Sequence, residues 1–168
     1  MRIISSVLLF IAAGFLVGCH SDAPVTRLAT KQGEQVPVPP FSIAITLDNE
    51  AREKLENAGE SIKGWIVFDG DGTRLPGEKT APHREVFLGT HDFELERSGT
   101  IRIKDATVSK EAYARLSDRN YHFTINVVSG RRSFGNNVLS GGFAMGKFED
   151  LADGKPVRIY CSLLDTGR

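Results

Sequence analysis

Length, composition and charge place this chain among single-domain globular proteins. Its 168 residues include 21 basic and 21 acidic side chains, 40 % apolar residues, 17 Gly and 7 Pro. These values exclude collagen-like, coiled-coil and disordered chains. A net charge of zero without a basic run argues against nucleic-acid binding, which needs a clustered positive surface. Two cysteines are too few for a disulfide framework or an all-cysteine zinc site.

The chain opens with an apolar leader. Residues 3–17 are almost uniformly apolar, a length that suits a signal peptide and is too short for a stable transmembrane helix. The run ends at residues 16–19 (L-V-G-C), which resemble the lipobox of bacterial lipoproteins. That resemblance implies that residues 1–18 are a signal peptide cleaved after Gly18, and that Cys19 is the acylated first residue of the mature protein.

The same resemblance implies a location. In enterobacterial lipoproteins an Asp directly after the acylated cysteine favours retention in the inner membrane, and here His20 holds that position. We therefore expect a lipid anchor on Cys19 in the outer membrane, with the protein facing the periplasm. The alternative is an ordinary secretory signal in which Cys19 is incidental.

A tether is predicted to follow the anchor. Residues 19–40 contain no hydrophobic periodicity, and a segment of this kind cannot bury enough apolar surface to offset its ordering entropy. The prolines predict stiffer, extended character over residues 36–40. Residues 41–168 are left as one domain of ordinary size.

Short strands dominate the predicted domain. Apolar residues alternate with polar ones over three segments, which indicates half-buried strands at residues 41–47, 121–127 and 157–163. Residues 61–68 are apolar on both faces apart from Lys63, as in a more central strand. Weaker strand candidates occupy residues 86–88, 91–96, 100–104 and 138–145.

Two helices are also predicted. The first spans Asn49–Ala58, with Asp48 as its N-cap and Gly59 as its stop. The second begins after Ser109 and continues through Leu116. The fold class expected from this pattern is mainly β, an antiparallel β-sandwich with one or two short helices, and a small barrel is the alternative.

The layout of the domain is similar to that of small proteobacterial lipoproteins with immunoglobulin-like or transthyretin-like β-sandwiches. The similarity lies in the order of elements: an alternating first strand, an early helix and a final apolar strand. It implies a fold and does not imply an activity.

Catalytic and metal-binding patterns are weak. Residues 69–72 (D-G-D-G) lack the ligand spacing of a calcium loop and predict a turn instead. The four histidines do not stand at metal-ligand spacings, and there is no nucleophile elbow or phosphate-binding glycine loop. We therefore expect no catalytic residue, no metal and no cofactor, and thus a protein that is not an enzyme.

Two single residues carry further expectations. Cys161 shares the inward register of its strand, so we expect a buried and inert thiol. Trp65 takes the register opposite to Ile62 and Ile66, and we expect it to pack under the Asn49–Ala58 helix. The alternative is that Trp65 anchors a partner.

One loop is the main binding candidate. Residues 129–137 present two arginines and an aromatic ring among small flexible residues, and such residues are enriched in interface hot spots. Arg131, Arg132 and Phe134 are therefore predicted to contact a partner. The alternative is a solvated hairpin loop in which Phe134 folds back onto the rim of the sandwich.

The functional expectation is an outer-membrane-anchored periplasmic lipoprotein that acts as a non-enzymatic protein-binding module, scaffold or inhibitor. Its partners would be the membrane, through the lipid on Cys19, and another envelope protein. The alternatives are a solute- or glycan-binding lipoprotein and an envelope hydrolase. A flat apolar patch would favour the first class, and a pocket with convergent polar groups would favour the others.

Overall fold

The structure, a computed structural model, describes residues 33–72, 84–151 and 153–164, all within one compact unit. The predicted signal peptide, the lipobox and Cys19 lie outside the described residues. In chain order the elements are β1 Gln35–Pro37, β2 Phe41–Leu47, α1 Asn49–Ala58, β3 Ile62–Gly72, β4 Arg84–Leu95, β5 Gly99–Ile103, β6 Thr107–Ser109, α2 Lys110–Tyr113, β7 Leu116–Ser129, β8 Leu139–Ser140, β9 Phe143–Lys147, a 3-10 helix Phe148–Leu151 and β10 Val157–Leu163.

Two four-stranded sheets confirm the predicted, mainly β sandwich. Sheet I has the strand order β5-β2-β10-β8, sheet II has the order β4-β3-β7-β9, and β1 pairs with β6 in a small ribbon. All pairs are antiparallel except β2 with β10, which run parallel. A parallel pair needs a long crossover, and almost the whole domain separates these two strands in sequence.

The core lies between the inner faces of the sheets. Alternation along each strand turns one set of side chains inward, including Ile43 and Ile45 of sheet I and Ile66 and Ile125 of sheet II. Cys161 is fully buried among them, as its register predicted. Burial raises the pKa of its thiol to about 11, so the thiolate that reacts is scarce at neutral pH.

Helix α1 forms where the caps predicted it. The carboxylate of Asp48 accepts a hydrogen bond from the backbone N–H of Ala51 at 2.7 Å, and Gly59 ends the helix with a left-handed φ of +63°. Ala51 and Leu55 are buried on the face that packs against β2 and β10. The helix therefore covers sheet I.

A strand of the domain precedes the expected boundary at Phe41. Val36 lies opposite Val108 in the β1–β6 pair, and the backbone N–H of Val38 donates to the carbonyl of Ala106 at 2.9 Å. Only 3 % of Val38 is exposed. The expected tether thus contributes a strand to the domain, because valines two residues apart bury one face against β6.

The predicted turn at residues 69–72 is wrong, because this segment is the second half of β3. Strands β4 and β7 flank β3 on both sides and supply hydrogen-bond partners. These partners are distant in sequence, so the residues around 69–72 do not reveal them. The register shifts between Phe68 and Asp69 and between Gly70 and Gly72, so the turn-forming residues produce irregularities within a strand.

The second helix is shorter than predicted. Ser109 does cap it, accepting a hydrogen bond from the backbone N–H of Ala112 at 3.3 Å. The helix ends at Tyr113, and Leu116 already belongs to β7, where it is buried opposite Gly72. Sheet pairing replaces the last predicted helical turn.

Residues 138–145 were expected as one weak strand, and they divide between the two sheets. Strand β8 pairs with β10 in sheet I, and β9 pairs with β7 in sheet II. The change of sheet occurs at two glycines. Gly141 has φ +77°, and a Cβ on Gly142 would collide with the carbonyl oxygen of Val127.

Candidate functional site

The predicted binding loop is tied to the domain by one carboxylate. Glu60 is only 2 % exposed, and its Oε1 accepts hydrogen bonds from the backbone N–H groups of Ser61 at 3.0 Å and Arg132 at 3.1 Å. Its Oε2 accepts from those of Ser133 at 2.8 Å and Phe134 at 3.2 Å. The carboxylate occupies a ring of backbone donors that could otherwise hold an anion.

These hydrogen bonds also set the ionisation of Glu60. Burial by itself would raise the pKa of the carboxyl group, but the backbone donors together outweigh it and hold the pKa below the usual value of 4.5. Glu60 is therefore charged at neutral pH, and its charged form is the one that holds the loop.

The guanidinium of Arg132 is already paired within the domain. It donates to Glu94 Oε1 at 2.8 Å and to Glu96 Oε2 at 3.0 Å. Ser61 also donates to Glu94, at 2.5 Å. The hydrogen bond from Ser61 lowers the pKa of Glu94, burial opposes that shift, and the hydrogen bonds from Arg132 add to the lowering. These ion pairs hold Arg132 against β4.

The other two predicted loop residues differ from Arg132. Arg131 is exposed, adopts a left-handed φ of +62°, and makes no hydrogen bond or ion pair with another described residue. Phe134 is half-buried, with Lys54 Nζ 5.6 Å from the centre of its ring. The loop thus presents one unpaired cation to solvent.

Trp65 does not pack under helix α1, so that prediction is wrong. It lies on the outer face of sheet II, 36 % exposed, while Ile66 and Phe68 on the same strand point into the core. The pairing register places Asp92 of β4 on one side of Trp65 and Asn126 of β7 on the other. Helix α1 packs instead against β2 and β10 of sheet I.

Strand β9 exposes its two large apolar side chains on the outer face of sheet II and turns small residues toward the core. Phe143 is 53 % exposed and Met145 is 69 % exposed, while Ala144 and Gly146 take the inward positions opposite Ile125 and Phe123. Edge strands normally avoid exposed apolar residues, because these promote association. Large and small residues alternate over residues 143–147 (F-A-M-G-K). That pattern indicates an apolar row on one face of a strand, but it does not tell which face points outward.

The strand register sets these side chains in three neighbouring rows on the outer face of sheet II, with the smaller residues in the middle row. In the register, Trp65 and Phe143 are two strands apart, which at the usual strand spacing is about 10 Å. We call this feature the outer groove: one wall is Trp65 and Val67 on β3, the other is Phe143 and Met145 on β9, and the floor is Thr124 and Asn126 on β7.

The floor of the outer groove has unused hydrogen-bonding capacity. The side chains of Thr124 and Asn126 are half-buried, and neither bonds to another described side chain. The amide of Asn126 offers two donors and one acceptor. Apolar walls with a polar floor can therefore bury side chains of a ligand and also satisfy its backbone.

Met145 of the outer groove also lines a cleft of about 550 Å³ that contains titratable groups. The cleft is lined by His122, Met145, Gly146, Lys147, Glu149 and Asp150. Beside it, His122 Nδ1 is 3.8 Å from Asp69 Oδ1. Burial and then the nearby carboxylate of Glu85 raise the pKa of Asp69.

Among residues 33–72, 84–151 and 153–164, no group of three His, Cys, Asp or Glu side chains is arranged to hold a metal ion. Nor does the described part of the chain contain a helix long and apolar enough to cross a membrane. A second cleft, of about 330 Å³, is lined by Pro39, Pro40, Phe148, Glu149, Leu151 and Gly154, of which one is ionisable.

Comparison with known proteins identifies no relative. No family model, no curated protein and no solved structure matches this chain. Function is therefore inferred from the geometry of the outer groove.

Proposed function

We propose that this protein is a periplasmic lipoprotein, anchored in the outer membrane through a lipid on Cys19, whose β-sandwich is a non-enzymatic protein-binding module. It would serve as a scaffold or an inhibitor by holding another envelope protein in the outer groove. The lipid anchor localises the domain, and the groove supplies the specificity.

The observation that carries this proposal is the clustering of exposed aromatic and sulfur side chains on one sheet face. Trp65, Phe143 and Met145 share the outer face of sheet II, and Phe87, also exposed, lies further along the same face. Aromatic residues and methionine are enriched at protein interfaces, and a contiguous apolar patch marks an interaction site.

Folding gives no reason for this arrangement. Each apolar side chain left in water forgoes roughly 1.5–3 kcal/mol of burial free energy. The inner positions of β9 hold the small residues Ala144 and Gly146, and a Cβ on Gly146 would lie 3.1 Å from the ring of Phe123. That packing accounts for small residues inside, but it does not call for apolar residues at the outer positions 143 and 145. These exposed apolar side chains do not stabilise the fold, and a partner that covers them is the best explanation for their presence.

In-cell photo-crosslinking tests the proposal. With a photoreactive phenylalanine analogue in place of Phe143, we expect one discrete adduct that mass spectrometry identifies as an envelope protein. The matched control places the same analogue at Tyr160, which is exposed on sheet I. Equal adducts at both positions, or none at Phe143, would contradict a binding role for the outer groove.

A glycan is the second candidate ligand, and one observation favours it. The exposed ring of Trp65 lies beside the amide of Asn126 and the carboxylate of Asp92, and sugars stack on aromatic rings while polar groups bond their hydroxyls. Soluble peptidoglycan fragments that change the fluorescence of Trp65, in a chain that gives no protein adduct, would select this function.

The anchor has its own test. Replacing Cys19 with Ser removes the acceptor thiol of the lipobox, so we expect no incorporation of labelled palmitate and an unprocessed or soluble chain. The control is Cys161→Ser, which changes the buried thiol and leaves labelling intact. Palmitate incorporation in the Cys19→Ser variant would show that the anchor is elsewhere.

A further inference from the structure

We infer that Trp65 and Asp92 form a recognition point for an arginine side chain, so that the outer groove selects an extended protein segment carrying an arginine beside apolar residues. The inference rests on the proposed protein-binding function and names the chemistry of the partner.

The geometry brings an aromatic ring and a carboxylate together. Trp65 and Asp92 are directly opposite in the antiparallel β3–β4 pair, and such pairs have Cβ atoms about 5 Å apart on one face of a sheet. Both side chains are exposed on the same outer face. The carboxylate of Asp92 makes no hydrogen bond or ion pair with another described residue, so its charge is available.

Two lysines beside the groove each face a carboxylate of the domain. Lys63 lies opposite Glu94 across the same strand pair. Lys147 Nζ is 3.6 Å from Glu149 Oε1 at the other end. Asp92 makes no ion pair within the described residues and lies directly beside a groove wall, so charge complementarity calls for a cation on the partner.

Arginine suits this pair better than lysine does. Its planar guanidinium can stack on the face of Trp65 and, at its edge, donate two hydrogen bonds to the carboxylate of Asp92. Lysine is a more strongly hydrated point charge that offers only part of this geometry.

An extended segment suits the shape of the groove. The walls on β3 and β9 run parallel to the strands and leave room for about one extended chain between them. Asn126, on the groove floor next to Trp65, can bond the backbone of that chain. Successive side chains would then contact the walls in turn, with arginine at Trp65 and apolar residues at Phe143 and Met145.

The test uses a peptide library and the fluorescence of Trp65, which is the one tryptophan in the chain. Displayed random twelve-residue peptides (a length of about 40 Å when extended) are selected on the chain and counter-selected on the Trp65→Ala variant. We expect the survivors to share an arginine. Replacing that arginine with citrulline removes the charge at nearly constant shape and should weaken binding about tenfold, the combined effect of an exposed cation–π contact and an exposed ion pair.

Asp92→Asn is the matching change on the protein. We expect it to weaken binding of the arginine peptide about tenfold and to leave the citrulline peptide almost unaffected, because the two changes remove the same interaction. Glu85→Gln, a carboxylate of β4 on the same face, is the control and should change neither affinity by more than about twofold. Circular dichroism of each variant verifies the fold.

The outcomes separate this inference from the proposed function. Peptides that need Trp65 but carry no arginine, or independent effects of citrulline and Asp92→Asn, would overturn the arginine assignment and leave the groove as a protein-binding site. A library that yields no Trp65-dependent peptide would overturn both. Self-association of the chain that is lost in Trp65→Ala would assign the groove to a second copy and also overturn the inference.

Discussion

The loop at residues 130–137 and the outer groove both expose residues that bind partners in other proteins, yet their chemistry is used differently. In the loop, the backbone donors and the guanidinium of Arg132 are already bonded to Glu60, Glu94 and Glu96. In the groove, Trp65 and Phe143 remain exposed. Residue composition alone favoured the loop as the binding site. The contacts within the fold favour the groove instead.

A side chain can contribute to a new interface only with the hydrogen bonds, ion pairs or apolar contacts that it does not already make within the domain. A cation paired with two carboxylates must lose those bonds before it can bind anything else, so its net contribution to a new interface is small. An exposed apolar ring has no such competing interaction in the free protein. We therefore expect changes in the loop to alter stability and changes in the groove to alter binding.

The largest effect is expected when the loop is released. Glu60→Ala leaves four backbone N–H groups without their acceptor, those of Ser61, Arg132, Ser133 and Phe134. Each unpaired donor costs about 1 kcal/mol, so we expect the free energy of unfolding to fall by about 4 kcal/mol. Urea unfolding measures this. Glu56→Ala, at an exposed position of α1, should change stability by no more than about 0.5 kcal/mol. Equal losses in both variants would show that the loop is not held by Glu60.

A smaller loss of stability is expected on acidification. The pKa of Glu60 is lower in the folded protein than its usual value of 4.5, so the unfolded chain takes up the proton first. The stabilisation is fully present above about pH 4.5 and is lost as the pH falls through the folded pKa. The loss is smaller than in Glu60→Ala, because a protonated carboxyl group can still accept hydrogen bonds. Unfolding free energies between pH 7 and pH 3 should decline less steeply in Glu60→Ala than in the parent chain; identical slopes would contradict this assignment.

A modest gain is expected at Arg131. A residue with a Cβ loses about 1 kcal/mol in the left-handed region, and the greater entropy of unfolded glycine offsets part of that, so Arg131→Gly should raise the free energy of unfolding by about 0.5 kcal/mol. Crosslinking through position 143 should be unchanged. If Arg131→Gly instead abolishes the adduct, the loop belongs to the binding site and the contrast with the groove fails.

The smallest effect on stability, with the largest on binding, is expected in the groove. Phe143→Ser and Met145→Ser alter exposed side chains, so unfolding free energies should stay within about 0.5 kcal/mol of the parent. Binding of selected peptides should weaken at least about thirtyfold, as for a hot spot of about 2 kcal/mol. Tyr160→Ser on sheet I provides the control for a lost exposed ring. A large drop in stability would mean that β9 needs these side chains to fold.

Local signals in the sequence were sufficient for most elements. Period-two alternation placed β2 and β10, and the Asp48 cap with Gly59 placed α1 to the residue. Interactions between neighbours in sequence determine these features, so a local pattern can reveal them. The turn predicted at residues 69–72 was wrong for the same reason, because long-range pairing with β4 and β7 overrode the local preference.

The candidate site depended on contacts that no local pattern contains. Arg132 is paired with Glu94, which is 38 residues away in sequence, so its availability could not be read from its own loop. The groove exists because Gly141 and Gly142 move the chain from one sheet to the other, which sets β9 beside β7 with Phe143 facing outward. By itself the sequence determined which segments are strands and helices, since those follow from neighbouring side chains. Only the tertiary structure decided which polar and aromatic groups remain unpaired, because that depends on which distant residues the sheets bring into contact.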